Sequence, residues 1–137
     1  MAGEWFWDTS GFFALLNRDD PSHDRAQALV KEAAGQRRGG VTTESIIGET
    51  CTLLMARRRP HLIPRFLDLV EQSRSLVTVP VDQALFGRSK DYVRRHLDHE
   101  FSFVDCTSFV VMAERGLHEA LTTDGHFAEA GCVALLR

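Results

Sequence analysis

Four carboxylates in this chain stand at positions where acid side chains can do chemistry. Asp8 ends an aromatic run, Trp5, Phe6 and Trp7, and is followed at once by the hydroxyls of Thr9 and Ser10. Glu49 lies in TTESIIGETCTLL, Asp105 in FSFVDCTSFVVMAERG, and Asp124 closes ALTTD. Singly, each has a plain structural role: Asp before Thr-Ser caps a helix, and a TDG sequence makes a turn. Gathered into one pocket, four anions would repel and raise one another's pKa values unless a cation compensated them. Hard oxygen donors suit Mg²⁺, with Mn²⁺ as a substitute, and such ions bind a few carboxylates together with phosphate oxygens. The chemistry implied is metal-assisted phosphodiester hydrolysis, in which the ion lowers the pKa of a coordinated water and steadies charge in an in-line displacement.

The elements that must position these acids follow from hydrophobic period. Residues 4–8 predict a short buried strand, and Phe12, Phe13, Leu15 and Leu16 predict a helix after the Thr9/Ser10 start, stopping near NRDDP. Pro21 is placed to begin a second helix carrying Ala26, Leu29, Val30 and Ala33, with Gly35 near its end. A brief strand at 41–43 precedes a helix through Ile46, Ile47, Thr50, Leu53 and Leu54, broken by Pro60. HLIPRFLDLVEQSR predicts a helix, LVTVPV an alternating strand, and residues from about 82 to 97 another helix. The Asp105 segment reads as a helix closed by Gly116, ALTTD as a strand ending at Asp124, and GCVALL as the last strand.

Strands alternating with helices call for an α/β sandwich around a mostly parallel sheet of about five short strands, because parallel neighbours need helical crossovers. In such open sheets, sites form at the carboxyl ends of strands, where Asp8 and Asp124 are both expected. Asp105 is expected at a helix N-terminus, where the dipole favours an anion, and Glu49 within the first turns of another helix.

The 137 residues fit one domain, 1–137. Apolar and charged fractions of 44% and 26% suit a globular protein, and no apolar run nears the ~20 residues of a membrane span. With no basic-then-apolar leader, a cytoplasmic location is expected. Cys51, Cys106 and Cys132 are odd in number and lack a CxxC pair, so reduced packing residues are expected. A net charge of −3 would argue against a nucleic-acid partner, but it becomes +1 once the four acids are set aside, so the balance decides little.

DTSGFFALLNRDD, the ETCTLL that follows TTESIIG, SFVDCTSFVVMAERG and ALTTDGHF, in this order and at these separations, resemble the PIN domain, in particular the VapC ribonuclease toxins of bacterial toxin–antitoxin pairs. The likeness runs over nearly the whole chain, and its specificity lies in the combination. It implies a three-layer PIN-like α/β/α sandwich in which Asp8, Glu49, Asp105 and Asp124 match the family's acidic quartet. Glu49 takes the second place rather than Glu44, because it stands just before the Thr-x-x-Leu stretch. Thr9 and Thr107 match positions where a hydroxyl can hold a metal-bound water or orient a carboxylate. His126 departs from the pattern, since many relatives carry a further acid there. The resemblance further implies an RNA substrate, a homodimer, and an antitoxin protein whose tail covers the acidic pocket.

Other residues have plainer readings. His96 and His99 tempt a metal site, but the charged RRHLDHE around them suits a solvated helix end. Arginine clusters at Arg37/Arg38, Arg57/Arg58/Arg59 and Arg94/Arg95 could grip an RNA backbone. The aromatics Trp5, Trp7, Phe12 and Phe13 could stack on bases, but their strand and helix periodicity reads as core or dimer interface. Ser10 stands where phosphatases of the haloacid dehalogenase kind need a second Asp. Receiver domains need a late lysine, whereas Lys31 and Lys90 are the only two here, and no glycine-rich phosphate loop is present. The competing function is a PIN-like protein- or RNA-binding module with little nuclease activity.

Overall fold

The computed structural model describes residues 3–137. In chain order the elements are β1 (Trp5–Trp7), α1 (Thr9–Leu16), α2 (His23–Gly35), β2 (Gly40–Thr43), α3 (Glu44–Ala56), a 3₁₀ turn (Pro60–Leu62), α4 (Ile63–Gln72), β3 (Leu76–Val79), α5 (Gln83–Arg95), α6 (Phe103–Arg115), β4 (Glu119–Leu121), α7 (Gly125–Glu129) and β5 (Val133–Ala134). The five strands make one sheet in the order β3-β2-β1-β4-β5. Every pairing is parallel.

That order decides where the helices go. The chain steps from β1 to β2 to β3 in one direction, then crosses back to β4 and on to β5 in the other. Right-handed crossovers therefore put α1–α4 on one face and α5–α7 on the opposite face. Helix packing agrees: α1 packs on α2 and α3, whereas α6 packs on α5 and α7. The result is the expected three-layer sandwich. It also creates a topological switch point between β1 and β4, where connections leave in opposite directions and open a crevice at the strand carboxyl ends.

Central β1 and β2 are buried along their whole length, while edge strand β3 is only partly covered. Trp5, Phe6, Phe12, Phe66, Phe127, Ile46, Leu54, Met112 and Leu121 fill the two interlayer cores. The expected buried role of Trp5, Trp7, Phe12 and Phe13 holds. Cys51, Cys106 and Cys132 are free thiols.

Several element limits differ from the sequence expectation for identifiable reasons. Strand β1 stops at Trp7, because Asp8 has already turned into the N-cap of α1. Helix α2 starts at His23 and not at Pro21, because Asn17 and Asp20 accept the amides two residues on, Asp19 and Ser22, and hold 17–22 as turns. Strand β4 ends at Leu121, three residues short of Asp124. The short helix α7, unanticipated from the sequence, begins just after Asp124, which caps it by accepting from the His126 amide at 2.9 Å. The last strand shrinks from GCVALL to Val133–Ala134, after the left-handed turn at Gly131.

Gly11 sits in the first turn of α1 against the end of β4. A Cβ there would lie 2.1 Å from the carbonyl oxygen of Leu121, a backbone atom that cannot swing away. Gly11→Ala should therefore destabilise the fold by about 3 kcal/mol, the upper end of ordinary overpacking costs, in a urea melt. A loss under about 1 kcal/mol would mean that α1 and β4 are not so tightly apposed.

Candidate metal centre

Asp8 leaves β1 at the switch point and is 5% exposed. It occupies the N-cap position of α1, yet its side chain caps no helix amide. Instead, Oδ2 accepts from Thr122 Oγ1 at 2.7 Å and from Ser10 Oγ at 3.2 Å. Those two hydroxyls in turn accept from backbone: Asp124 N donates to Thr122 Oγ1 at 3.0 Å, and Thr123 N donates to Ser10 Oγ at 2.9 Å. The stretch after β4 is thereby bent toward Asp8, which accounts for the early end of β4.

Asp105 is the third residue of α6 and closes a capping box with Ser102. Asp105 N donates to Ser102 Oγ at 3.0 Å, and Ser102 N donates to Asp105 Oδ2 at 3.1 Å. The same Oδ2 meets His126 Nδ1 at 3.0 Å, and that nitrogen lies 3.6 Å from Asp124 Oδ1. Single ligand atoms of Asp105, Asp124 and His126 lie within 4.8 Å of one another. Sequence reasoning noted His126 only as a departure, and here it stands between two of the four acids.

Glu49, from α3, accepts from Thr9 Oγ1 at 2.6 Å, so the residue after Asp8 orients the fourth acid. Glu44 is engaged elsewhere: exposed, it accepts from the Val81 amide at 2.8 Å. Thr107 is fully buried, and its hydroxyl donates to the Phe103 carbonyl one turn back at 3.1 Å, not to a carboxylate. Ser10 and Thr122 were missed as supporting residues. Their signal was available in DTS and TTD, where each hydroxyl lies two residues from an acid.

Burial pushes the Asp8 carboxyl up from its ordinary 3.8 to about 6; the Thr122 hydroxyl and the Thr9 amide oppose the shift, and the charges of Asp105 and Glu49 add to it. Asp8 thus feels the acids of α3 and α6 at once. Its hydrogen bond to Asp105 holds His126 above the ordinary imidazole range, with the charge of Asp124 adding to the effect. A buried carboxylate that resists ionisation, facing further acids, is short of positive charge even with His126 between Asp105 and Asp124. The hard oxygens of Asp105 and Asp124 lie close enough to share a divalent ion of the Mg²⁺ class, whereas Asp8 and Glu49 stand outside the group whose ligand atoms all lie within 4.8 Å. His126 is a borderline donor and fits Mn²⁺ better than Mg²⁺.

The arginine clusters divide. Arg38 is structural, paired with Glu119 at 2.6 Å and lying over the Trp5 ring. Arg59 pairs with Asp19 and Arg94 with Asp91. Arg37, Arg57, Arg58 and Arg95 are exposed and make no ion pair among the described residues. No helix among the described residues is long and apolar enough to cross a membrane.

Comparison with known proteins adds an independent line. The family model described as the PIN domain matches residues 6–131. In two strains of Mycobacterium tuberculosis, the protein named 23S rRNA-specific endonuclease VapC20 is 35% identical over 128 residues, 93% of this chain and 95% of the relative. The crystal structure of Mycobacterium tuberculosis VapC20, described as a sarcin-ricin loop cleaving toxin, superposes with a TM-score of 0.84 at 32% identity, covering 96% of this chain and 97% of that one. With an acidic crevice at the switch point and likeness of this extent, the chain belongs to the PIN domain family, among its VapC toxins.

Proposed function

We propose that the chain is a divalent-metal-dependent endoribonuclease, the toxin of a VapBC-type pair, and that it cuts ribosomal RNA as its relatives' names state for them. What supports this reading is the grouping of Asp105, Asp124 and His126 ligand atoms within 4.8 Å, beside an Asp8 carboxyl lifted to about 6 by burial and, in smaller part, by the charges of Asp105 and Glu49.

Asp8, Asp105 and Asp124 would hold the ion, with Glu49 completing the quartet. When bound, the ion supplies a lowered water pKa and offsets phosphate charge in the displacement. The chain's own residues do the rest. Ser10 and Thr122 fix the Asp8 carboxylate, and Thr9 fixes Glu49, so the donors are oriented before RNA arrives. Thr107 keeps the first turns of α6 rigid behind Asp105. A cytoplasmic site of action goes with an RNA substrate. A homodimer and a blocking antitoxin go with the family.

The test is a digest of total RNA with Mg²⁺ and with EDTA, cut ends mapped by sequencing, with the Asp8→Asn protein as control. Discrete cuts that need Mg²⁺ and vanish in the control are expected. RNA left intact by the wild-type protein with Mg²⁺ would favour a binding module, and equal cutting by the control would mean a contaminating nuclease.

A further inference from the structure

His96 and His99 do not project from a solvated helix. Helix α5 ends at Arg95, and the loop that follows folds its rings against the candidate metal centre. Phe101 meets His126 edge to face, with centroids 5.6 Å apart, and His126 is the residue that touches Asp105. The His99 ring lies flat on Phe101 at 4.5 Å with planes 4° apart. Tyr92 and His96 form a second stack at 3.9 Å and 16°, with the His96 ring 6.3 Å from Phe101. Phe101 also rests edge-on against Phe109 at 5.0 Å, and Phe109 against buried Phe127, so the core anchors this ring series from beneath.

We infer that the α5–α6 loop is a base-stacking subsite, in which an unpaired nucleobase of the substrate beside the cleaved phosphate lies on the open face of His99 and extends the His99–Phe101 stack. The inference rests on the nuclease reading above and adds where a base is held. The His99 side chain remains 33% exposed, so its ring is available to a ligand. Asp98 and Glu100, exposed on either side, would repel phosphate, which favours a neutral base over the backbone at this spot. Arg95, the last residue of α5, is exposed and makes no ion pair among the described residues, so it can meet the adjoining phosphate. A planar imidazole on a planar phenyl accepts any base, because every base has a π face.

The experiment uses the full chain and a short RNA copied around a cut mapped in the ribosomal RNA digest. Wild type is compared with His99→Ala, His99→Gln and His99→Phe. Stacking predicts that KM rises about tenfold for His99→Ala and His99→Gln, with the loss in KM rather than kcat, while His99→Phe keeps wild-type KM. It also predicts one flanking position where an abasic nucleotide raises KM about tenfold for wild type and has no further effect on His99→Ala. Wild-type KM for His99→Gln, or a His99→Phe protein as weak as His99→Ala, would overturn the subsite while leaving the nuclease reading in place. Uncut RNA with the wild-type protein would overturn both.

Discussion

Asp105→Asn should slow RNA cleavage by at least about a thousandfold while leaving the fold within about 1 kcal/mol of its stability, the worth of the partly exposed His126 pair it gives up. The substitution separates two jobs that one carboxylate performs. As the third residue of α6, Asp105 accepts from the Ser102 amide, and the side-chain oxygen of Asn can accept the same bond, so the capping box survives. As an anion beside Asp8, it supplies charge that a divalent ion needs, and the amide supplies none. Losing several kcal/mol of charge stabilisation in the transition state corresponds to about three orders of magnitude in rate. Single-turnover cleavage at saturating RNA, beside a urea melt of the same preparation, checks both halves. A loss below about tenfold would remove Asp105 from the reaction.

Asp8→Asn should do the opposite to stability, raising it by about 2 kcal/mol at pH 7 when divalent ions are removed. The carboxyl's folded-state value of about 6 lies above its ordinary 3.8, so the folded chain keeps the proton over a window in which the unfolded chain has released it. Its contribution to stability is full below pH 3.8 and is lost as the pH climbs to about 6. At neutral pH the deficit is on the order of 3 kcal/mol, and part of it returns as an imperfect Thr122 hydrogen bond in the variant. Urea melts in EDTA at pH 7 and at pH 3.5 test this: the gap between variant and wild type should close at the lower pH. Added Mg²⁺ should stabilise the wild-type protein and leave the variant nearly unmoved. An Asn variant less stable than wild type at pH 7 in EDTA would show that the Asp8 carboxylate is well compensated by the protein alone.

The two outcomes describe one design. A charge held where the fold would rather have none is a cost to stability, and that cost is what makes the site receptive to a cation.

Much of this was legible in the residues. The aromatic run into Asp8, the 3.6-residue period behind Glu49 and the Ser-x-x-Asp entry to α6 each have a local cause, so strand end, helix face and helix start could be expected without coordinates. A mostly parallel sheet followed from alternation of the elements, and the structure makes every pairing parallel. What lay beyond reach was side-chain traffic between distant segments. That Thr122 and Ser10 would pull the backbone after β4 toward Asp8, ending the strand early and starting α7, depends on contacts across 112 to 114 residues. The place of His126 between Asp105 and Asp124 depends on α7, which five residues of weak pattern did not announce. The charged setting of RRHLDHE masked the ring stack, because the acids face water while the imidazoles turn inward against Phe101 and Tyr92.

The central claim is that acids from four separate segments serve one bound cation. Crystals soaked in Mn²⁺ and measured at the manganese absorption edge test it directly. An anomalous peak touching carboxylate oxygens of Asp8 and Asp105, absent in Asp8→Asn crystals, is the predicted result. A peak elsewhere on the surface with none in that crevice, at a Mn²⁺ concentration that supports RNA cleavage, would contradict the account.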